Sequence, residues 1–331
     1  MAKSLVTGGS GFIGRHLVSA LLARGDTLRI FDENAPLESG ATVEFRRGSI
    51  LDRPALLAAL DGMDRVFHLA GIAHLWTPKL ADFDRVNHSG TETLLSAAAE
   101  SGISRIVHCS TEAILMPPRR AERPIDEKIC LQLSDMAGPY TRSKYAGEQR
   151  ARAAARAGVP VVIVNPTVPI GPGDHRMTPP TALLARFLDG GSTASLDCTL
   201  NLADVRDIAE GMILAAEHGR IGDRYILGGW NLSMRELAVL IGQFTGKPLR
   251  PIWIPPWLAL GVGLTGGWLA THITHTTPAA TVEGVRLALR SSPLDIGKAR
   301  RELGYAPRPI ESALAEAMGW LMKQGRKMAQ N

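Results

Sequence analysis

The chain has 331 residues, of which 45% are hydrophobic and 21% charged, and its formal net charge is +5. This composition is typical of a globular protein and excludes a disordered chain, a collagen-like chain and a coiled coil. The length provides for one large domain or two ordinary ones, with enough residues to bury a substantial core.

The positive charge raises the question of a polyanionic partner. A nucleic-acid-binding protein collects Lys and Arg on one face, whereas here the basic clusters are small and aromatics make up only 5% of the chain. We therefore predict no nucleic-acid binding. The clusters are interpreted mainly as solvated helix faces, with an anionic membrane surface or an anionic ligand as alternatives. Three scattered cysteines, and the lack of an apolar leader after Met1, favour a cytoplasmic location.

Short apolar runs alternate with helical patterns over the first 170 residues. Because the runs are continuous, they predict parallel strands covered on both faces, in an α/β doubly wound sheet. The predicted strands are Ser4–Thr7, Leu28–Phe31, Val43–Arg46, Arg65–Leu69, Arg105–His108 and Val161–Asn165. The predicted helices are Phe12–Arg24, Pro54–Ala59, Gly90–Ser101 and Thr141–Ala157.

The pattern changes after Asn165, where prolines interrupt a loop region. Beyond it, helices are predicted at Pro180–Leu188, Val205–Glu217, Ser233–Thr245 and Ile310–Lys323, with a few short strands. We expect residues 171–331 to form a smaller C-terminal α+β substrate-binding region, some of whose elements return to the first domain.

Residues 251–282 contain no Asp, Glu, Lys or Arg. A membrane-spanning helix needs about 20 uninterrupted apolar residues, but Pro255 and Pro256 interrupt this run and four glycines weaken the helix predicted at Trp257–Ala270. We therefore expect no transmembrane span. Two interpretations stay open. The first is a buried core helix. The second is an apolar lid over an apolar substrate, in which residues 251–274 could also contact the inner face of a membrane.

A glycine-rich loop follows the first predicted strand and opens the first helix. Its backbone N–H groups would lie open to a pyrophosphate at the positive end of that helix. The residues concerned are Gly8, Gly11, Phe12, Ile13 and Gly14. Asp32 ends the second strand, close to the ~20-residue spacing of the acidic residue that binds the adenosine ribose. A carboxylate there repels a 2′-phosphate, so we predict NAD rather than NADP and a Rossmann dinucleotide-binding domain over residues 1–170.

Tyr140 and Lys144 are four residues apart at the start of a predicted helix, which places them on one helix face. A free tyrosine has a pKa near 10, and we expect the lysine ammonium, together with the positive nicotinamide of the cofactor, to lower it. The pair would then remove a proton from a secondary alcohol or return one to a ketone. Ser110 and Thr111, at the end of the preceding strand, are candidates to orient the reacting oxygen.

These motifs together resemble the extended short-chain dehydrogenase/reductase superfamily, which includes the NAD-dependent epimerases and dehydratases. The similarity covers essentially the whole chain, and it is strongest for the 3β-hydroxysteroid dehydrogenase/dihydroflavonol reductase-like branch and its hopanoid-associated group. The matching segments are Thr7–Gly14, Asp64–Ala70, Val86–Thr91, Tyr140–Glu148, Val161–Thr167, Tyr225–Gly229 and Ala299–Tyr305.

The resemblance implies a catalytic triad of Thr111, Tyr140 and Lys144, with Asn87 supporting the helix through a bound water. It also implies a homodimer formed through the helices that start near Gly90 and Tyr140. The further cofactor contacts that it implies are Ser49, Ile50, Leu69, Ala70, Gly71, Asn87, Ser110, Pro166 and Val168.

The chain departs from the family pattern in places that bear on the reaction. Ser49 replaces the aspartate of the adenine contact, and Glu112-Ala113 replaces the Asp-Glu pair of sugar dehydratases. Leu200 stands where nucleotide-sugar epimerases carry a diphosphate-binding arginine, although other arginines, such as Arg186 and Arg286, could substitute for it.

Three functional hypotheses are considered. Two are enzymatic and share hydride transfer to or from NAD. The third is a non-catalytic NAD-binding scaffold or redox sensor, which would not need the Tyr-Lys pair. We favour an NAD-dependent oxidoreductase that interconverts a secondary alcohol and a ketone on a sterol-, hopanoid- or quinone-like molecule. The alternative is a nucleotide-sugar 4-epimerase. The residues predicted to line the substrate are Trp76, Thr111, Glu112, Trp253 and Trp257. His272 and His275 alone are too few ligands for zinc, so we predict no metal.

Overall fold

The structure is a computed structural model that describes residues 2–37, 43–188, 194–246, 248–249 and 251–330, the last six of these as helical backbone only. Within these ranges a seven-stranded parallel sheet has the strand order β10-β6-β5-β4-β1-β2-β3. The strands of the chain are β1 (Lys3–Thr7), β2 (Thr27–Asp32), β3 (Val43–Arg47), β4 (Arg65–His68), β5 (Arg105–Cys109), β6 (Val161–Pro166), β7 (Val168–Ile170), β8 (Ala194–Ser195), β9 (Thr199–Asp204), β10 (Arg224–Leu227), β11 (Trp230–Ser233) and β12 (Ile252–Trp253).

Helices cover both faces of the sheet and build the smaller part of the molecule. They are α1 (Phe12–Ala23), α2 (Arg53–Leu60), α3 (Ala81–Phe83), α4 (Thr91–Glu100), α5 (Pro139–Arg156), α6 (Pro179–Leu188), α7 (Val205–His218), α8 (Met234–Thr245), α9 (Pro256–Leu269), α10 (Val282–Arg290), α11 (Gly297–Leu303) and α12 (Ile310–Gln330). The sequence therefore predicted the doubly wound parallel sheet correctly, and most element ends to within one or two residues.

Alternate residues along the strands pack into two different hydrophobic clusters. Val6, Phe67 and Val107 belong to one cluster, whereas their neighbours Leu5 and Val66 belong to the other. Successive side chains of a strand point to opposite faces, so each face of the sheet has its own core. This explains why the strands are short continuous apolar runs.

The strand order reverses at β1, which has β2 on one side and β4 on the other. At such a switch point the loops that follow the strands diverge and leave a crevice at the carboxyl edge of the sheet, which is where ligands of doubly wound folds bind. The glycine-rich loop follows β1, Asp32 ends β2, and Thr111 follows β5, so the fold brings these predicted site residues to one edge.

The smaller part lies over this edge and contains a three-stranded sheet in the order β11-β9-β7 within the described residues. Its core is formed by side chains of α6, α8 and α12. The loop after β7 is fixed to helix α1, because Arg15 Nη1 donates to the carbonyl of Gly173 at 2.8 Å and His16 Nε2 lies 3.0 Å from the carbonyl oxygen of Pro172.

The charge-free segment forms helix α9, but the expectation that it is a buried core helix is wrong. Trp257 is 72% exposed and Trp268 58% exposed, whereas Ala259 and Gly263 are the helix residues that pack inward. The inward positions carry small residues because the backbone of α9 lies close to its neighbour: a Cβ on Gly263 would lie 3.0 Å from the backbone nitrogen of Val282. In the part of the chain that the structure describes, no helix combines the length and hydrophobicity needed to cross a membrane.

Candidate active site

The glycine-rich loop passes so close to neighbouring backbone that Gly8 and Gly14 cannot carry side chains. A Cβ on Gly8 would lie 2.6 Å from the backbone nitrogen of Ala70, and one on Gly14 would lie 2.3 Å from the carbonyl oxygen of Gly8. Gly8 also has a φ of +73°, which favours glycine. The loop therefore holds the N-terminus of α1 at the switch point.

The N-terminus of α1 is open to an anion. No side chain caps it at Gly11, no acidic residue lies in its first turn, and its first intrahelical bond runs from the N–H of Arg15 to the carbonyl of Gly11. The N–H groups of Phe12 and Ile13 lie in this first turn, where the helix itself offers no acceptor. Free N–H groups at the positive end of a helix fit the pyrophosphate of a dinucleotide.

Asp32 faces the same loop. Its carboxylate accepts hydrogen bonds from the backbone N–H of Ser10 at 3.1 Å and from that of Asn34 at 2.9 Å. Next to it is a cavity of about 360 Å³, lined by Ser10, Gly11, Phe12, Arg15, Asn34, Ala35, Leu37, Arg47, Gly173, Asp174, His175 and Arg176. The carboxylate is thus placed beside the helix N-terminus, as a ribose-binding residue would be.

The predicted wall of the groove follows β4 at Leu69, Ala70 and Gly71. Asn87 holds the loop that contains them, because its amide accepts from the N–H of Ile72 at 2.8 Å and donates to the Ile72 carbonyl at 3.1 Å. The same amide donates to Ser143 Oγ on α5 at 3.0 Å. Asn87 therefore contacts the helix directly, whereas the resemblance implied contact through a water.

The remaining predicted cofactor contacts also lie at the carboxyl edge of the sheet. Ser49 and Ile50 follow β3, and Ile50 is buried against Gly90, where an added Cβ would come within 2.6 Å of its side chain. Pro166 ends β6 and Val168 starts β7. Ser110, just after β5, has a buried hydroxyl with no hydrogen-bond partner among the described residues. That orphaned hydroxyl fits a groove whose remaining partner is a ligand.

Thr111 and Glu112, just after β5, lie near Tyr140. Thr111 Oγ1 donates to Glu112 Oε2 at 3.0 Å. Both side chains shift the pKa of Tyr140, Thr111 downward and Glu112 upward. Burial raises the pKa of Glu112 to about 7, and the hydrogen bond from Thr111 opposes this rise. The carboxyl thus titrates near neutrality next to the Thr111 hydroxyl.

Lys144 lies on the same helix as Tyr140. Its Nζ donates to the carbonyl of Cys109 at 2.7 Å, and burial lowers the pKa of the ammonium. The pKa of Tyr140 is raised, chiefly by burial and further by Glu112, while the Thr111 side chain opposes the rise. Among the groups of the chain itself desolvation therefore dominates, whereas the expected acidification of the phenol combines Lys144 with the positive charge of a nicotinamide.

The structure adds a site residue that the sequence analysis missed. Glu283, at the start of α10, is buried, and its carboxylate accepts from the backbone N–H groups of Tyr140 at 3.0 Å and Thr141 at 2.7 Å. It also accepts from Thr141 Oγ1 at 2.7 Å. The available signal was its position as the first charged residue after the charge-free segment.

Glu148 fixes the other side of α5. It is fully buried, and its carboxylate accepts from Asn165 at 2.9 Å, Arg152 at 3.0 Å and Arg224 at 3.3 Å. Asn165 in turn donates to the carbonyl of Thr111 at 3.0 Å. The network connects β5, β6, β10 and α5, so it sets the distance between Thr111 and Tyr140.

Of the three tryptophans predicted to line the substrate, Trp76 lies in the loop after β4, Trp253 in β12 and Trp257 on α9. Trp76 Nε1 donates to Thr271 Oγ1, just beyond α9, at 3.4 Å. Trp253 is half-buried, and the guanidinium carbon of Arg235 lies 4.7 Å from the centroid of its ring. Trp257 lies on the outer surface of α9. Among the described residues no group of three or more His, Cys, Asp or Glu side chains is placed to hold a metal ion.

Comparisons with known proteins agree with this geometry. Residues 4–228 match the model of the NAD dependent epimerase/dehydratase family. The chain is 33% identical over 330 residues to a putative dihydroflavonol 4-reductase from Synechocystis, covering 97% of this chain and 94% of the relative. It is 29% identical to sterol demethylase protein B from Methylococcus capsulatus, covering 97% of this chain and 99% of the relative. It is also 34% identical to a 4-hydroxy-2-methyl-3-oxo-4-farnesyl-3,4-dihydroquinoline-1-oxide ketoreductase from Stigmatella aurantiaca, covering 92% of each chain.

Solved structures show the same fold over the full length. The crystal structure of gox2253 superposes with a TM-score of 0.83 at 33% identity, covering 98% of this chain and 99% of the other. A nucleoside-diphosphate-sugar epimerase from Pseudomonas aeruginosa superposes with a TM-score of 0.78 at 26% identity, covering 98% of each. The chain belongs to the NAD-dependent epimerase/dehydratase family and is an NAD(P)-dependent enzyme of the extended short-chain dehydrogenase/reductase superfamily.

Proposed function

We propose that the protein interconverts a secondary alcohol and a ketone on an apolar, lipid-like substrate of the sterol, hopanoid or quinone type. The observation that carries the proposal is the placement of Tyr140 near Thr111 and Lys144 at the carboxyl edge of the sheet. A bound dinucleotide supplies the hydride donor or acceptor at its nicotinamide ring.

The residues of the chain handle the proton and the orientation of the substrate. In the oxidative direction Tyr140 removes the hydroxyl proton as the carbon loses its hydride, and in the reductive direction it returns that proton to the carbonyl oxygen. Thr111 would donate a hydrogen bond that orients the oxygen when its proton turns from Glu112 to the substrate. Lys144 would hold the ribose and, together with the positive nicotinamide, favour the phenolate.

The arrangement around Asp32 favours NAD over NADP. The carboxylate ends β2 beside the N-terminus of α1, where it would accept hydrogen bonds from ribose hydroxyls and repel a 2′-phosphate. Of the nearby cations, Arg29 is paired with Glu44 at 2.7 Å. Arg15 and Arg47 line the cavity beside Asp32 and would act against this preference.

Two lines of evidence support an apolar substrate. The relatives include proteins named for a sterol and for a farnesyl-bearing quinoline oxide. Of the arginines that could replace the diphosphate-binding residue of the epimerases, Arg286 donates to the carbonyl of Ala137 at 3.0 Å and Arg186 to that of Ala279 at 2.6 Å, whereas Arg176 lines the cavity beside Asp32. Leu200 offers no charge for a diphosphate.

The second candidate is a nucleotide-sugar 4-epimerase, favoured by the structural likeness to the Pseudomonas epimerase. The two activities differ in the fate of the ketone: a dehydrogenase releases it from the active site, whereas an epimerase retains it and returns the hydride to its other face. An assay with NAD and a 3β-hydroxysterol in detergent, followed by NADH absorbance and mass spectrometry of the ketone, is expected to show net oxidation. UDP-glucose incubated with the same enzyme is expected to return unchanged; its conversion to UDP-galactose without net NADH would contradict the proposal.

A further inference from the structure

Helix α9 and the turn that follows it, residues 270–274, together present an apolar surface to solvent; we call residues 256–274 the apolar segment. Its large exposed side chains are Trp257 (72% exposed), Leu264 (62%), Ile273 (59%), Trp268 (58%), Val262 (48%), Leu269 (43%) and Leu258 (41%). We propose that the apolar segment is a docking surface for an anionic lipid bilayer, on which it lies parallel to the membrane plane.

The exposed side chains cover about half of the helix circumference. Ala259, Gly263 and Ala270 are the buried positions, and at about 100° per residue they fall on one side. Trp257, Leu264 and Trp268 lie on the opposite side. A helix this apolar is normally covered, and apolar surface left in water is unfavourable by about 25 cal/mol per Å².

The hydroxyls of Thr265 and Thr271 are satisfied within the segment, and the exposed His272 packs against Trp268 with 5.3 Å between the ring centroids. Thr265 Oγ1 donates to the carbonyl of Gly261 at 3.0 Å, and Thr271 Oγ1 donates to that of Gly267 at 2.9 Å. No charged residue occurs from 251 to 282. Internal satisfaction of backbone and hydroxyl groups is what a hydrocarbon environment requires, whereas a protein interface usually offers hydrogen-bonding and charged groups at its rim.

The dimensions favour a helix lying in the interface over a spanning one. Helix α9 has 14 residues, shorter than the about 20 needed to cross a bilayer. Tryptophans stand near both of its ends, at Trp257 and Trp268, and tryptophan is enriched at the headgroup level of membranes. A helix of this kind inserts its apolar face into the headgroup boundary.

Charge at the borders of the segment selects an anionic surface. Arg186 is exposed where it donates to the carbonyl of Ala279, after the segment, and Arg235 lies over Trp253, before it. No acidic side chain interrupts the segment, and the chain carries a net charge of +5. Basic groups beside an apolar face strengthen binding to anionic lipids by about 1 kcal/mol each near the surface.

The segment is joined to the active site at two points. Thr271 accepts from Trp76 Nε1 in the loop after β4, and Glu283, in the first turn of α10, binds the backbone of Tyr140. If the proposed function holds, a substrate dissolved in the bilayer would enter beside α9 without crossing water. This last point rests on the proposed function, but the docking itself does not.

The test is co-sedimentation of the full chain with vesicles, without NAD or substrate, so that its outcome is independent of the proposed function. The vesicles are pure phosphatidylcholine or an equal mixture of phosphatidylcholine and phosphatidylglycerol. Wild type is expected to bind the mixed vesicles and to bind the neutral ones more weakly. The variant Trp257→Glu/Trp268→Glu is expected to bind the mixed vesicles at least about tenfold more weakly, a change of about 1.4 kcal/mol.

Val239→Glu is the matched control, because Val239 is 61% exposed on helix α8, outside the segment; it is expected to bind like wild type. Light scattering of each variant reports the oligomeric state. Equal binding by wild type and the double variant, or no binding of wild type to either vesicle, would overturn the proposal. A dimer that the double variant dissolves, with no vesicle binding, would identify a second copy of the chain as the occupant.

Discussion

The carboxylate of Glu283 accepts a hydrogen bond from the backbone N–H of Tyr140 at 3.0 Å across 143 residues of sequence. The bond joins α10 to the first turn of α5, the helix that carries both Tyr140 and Lys144. Because Glu283 also binds Thr141, it satisfies two N–H groups that the helix leaves without intrahelical acceptors. The position of the tyrosine at the groove therefore depends on an element that follows the apolar segment.

Replacing Glu283 with Ala is expected to destabilise the protein. The substitution leaves the N–H groups of Tyr140 and Thr141 buried without partners, at a cost of about 1–3 kcal/mol for each. The free energy of unfolding, measured in urea, should fall by at least about 2 kcal/mol. Glu236→Ala is the control, because Glu236 also accepts a backbone N–H at a helix start but is exposed, so a smaller loss is expected. Equal losses in the two variants would contradict this account.

Substituting Gly14 with Ala is expected to weaken NAD binding by at least tenfold, about 1.4 kcal/mol. The added Cβ would meet the carbonyl oxygen of Gly8 at 2.3 Å and displace the loop that presents the N–H groups of α1. Isothermal titration with NAD measures the effect. Gly319→Ala on α12, where a Cβ meets no atom within 4 Å, is expected to leave affinity unchanged. Wild-type affinity in Gly14→Ala would exclude this loop as the pyrophosphate site.

The raised pKa of Glu112 predicts a specific pH dependence of stability. The group has a pKa of about 7 in the folded protein and its ordinary value near 4.5 when unfolded. The folded state therefore holds the proton more tightly, so this contribution to stability is fully present below pH 4.5 and is lost as the pH rises to 7. Unfolding in urea at pH 5 and pH 8 measures the loss.

Glu112→Gln isolates the contribution of this carboxyl, because it removes the titrating group and keeps a hydrogen-bond acceptor for Thr111. The decrease in unfolding free energy between pH 5 and pH 8 is expected to be smaller in the variant than in wild type. Identical decreases would mean that Glu112 is ionised in the folded protein at both pH values.

The sequence predicted the sheet and the cofactor edge well because both depend on local patterns. Continuous apolar runs mark buried parallel strands, and the glycines mark close backbone approach, as at Gly14. The role of Glu283 could not be predicted, since no local spacing connects it to Tyr140. The exposure of Trp257 was also beyond the sequence, because a charge-free helix has the same composition whether a core or another surface covers it.

The state of the phenol shows a similar limit. The four-residue spacing correctly predicts that Tyr140 and Lys144 share a helix, but it says nothing of solvent access. Burial raises the pKa of Tyr140, and the Lys144 ammonium is bound to the Cys109 carbonyl. Whether a neighbouring charge or desolvation decides a pKa depends on the packed environment, which the sequence does not contain.

The central claim is that Tyr140 exchanges the proton of the substrate hydroxyl. The most direct measurement is the turnover of Tyr140→Phe with NAD and the substrate alcohol, together with NAD affinity by titration. Turnover is expected to fall at least about 100-fold while NAD affinity stays near wild type. Tyr145→Phe serves as control, since Tyr145 lies on the same helix and donates to the Leu131 carbonyl instead. Turnover near the wild-type rate in Tyr140→Phe would contradict the account.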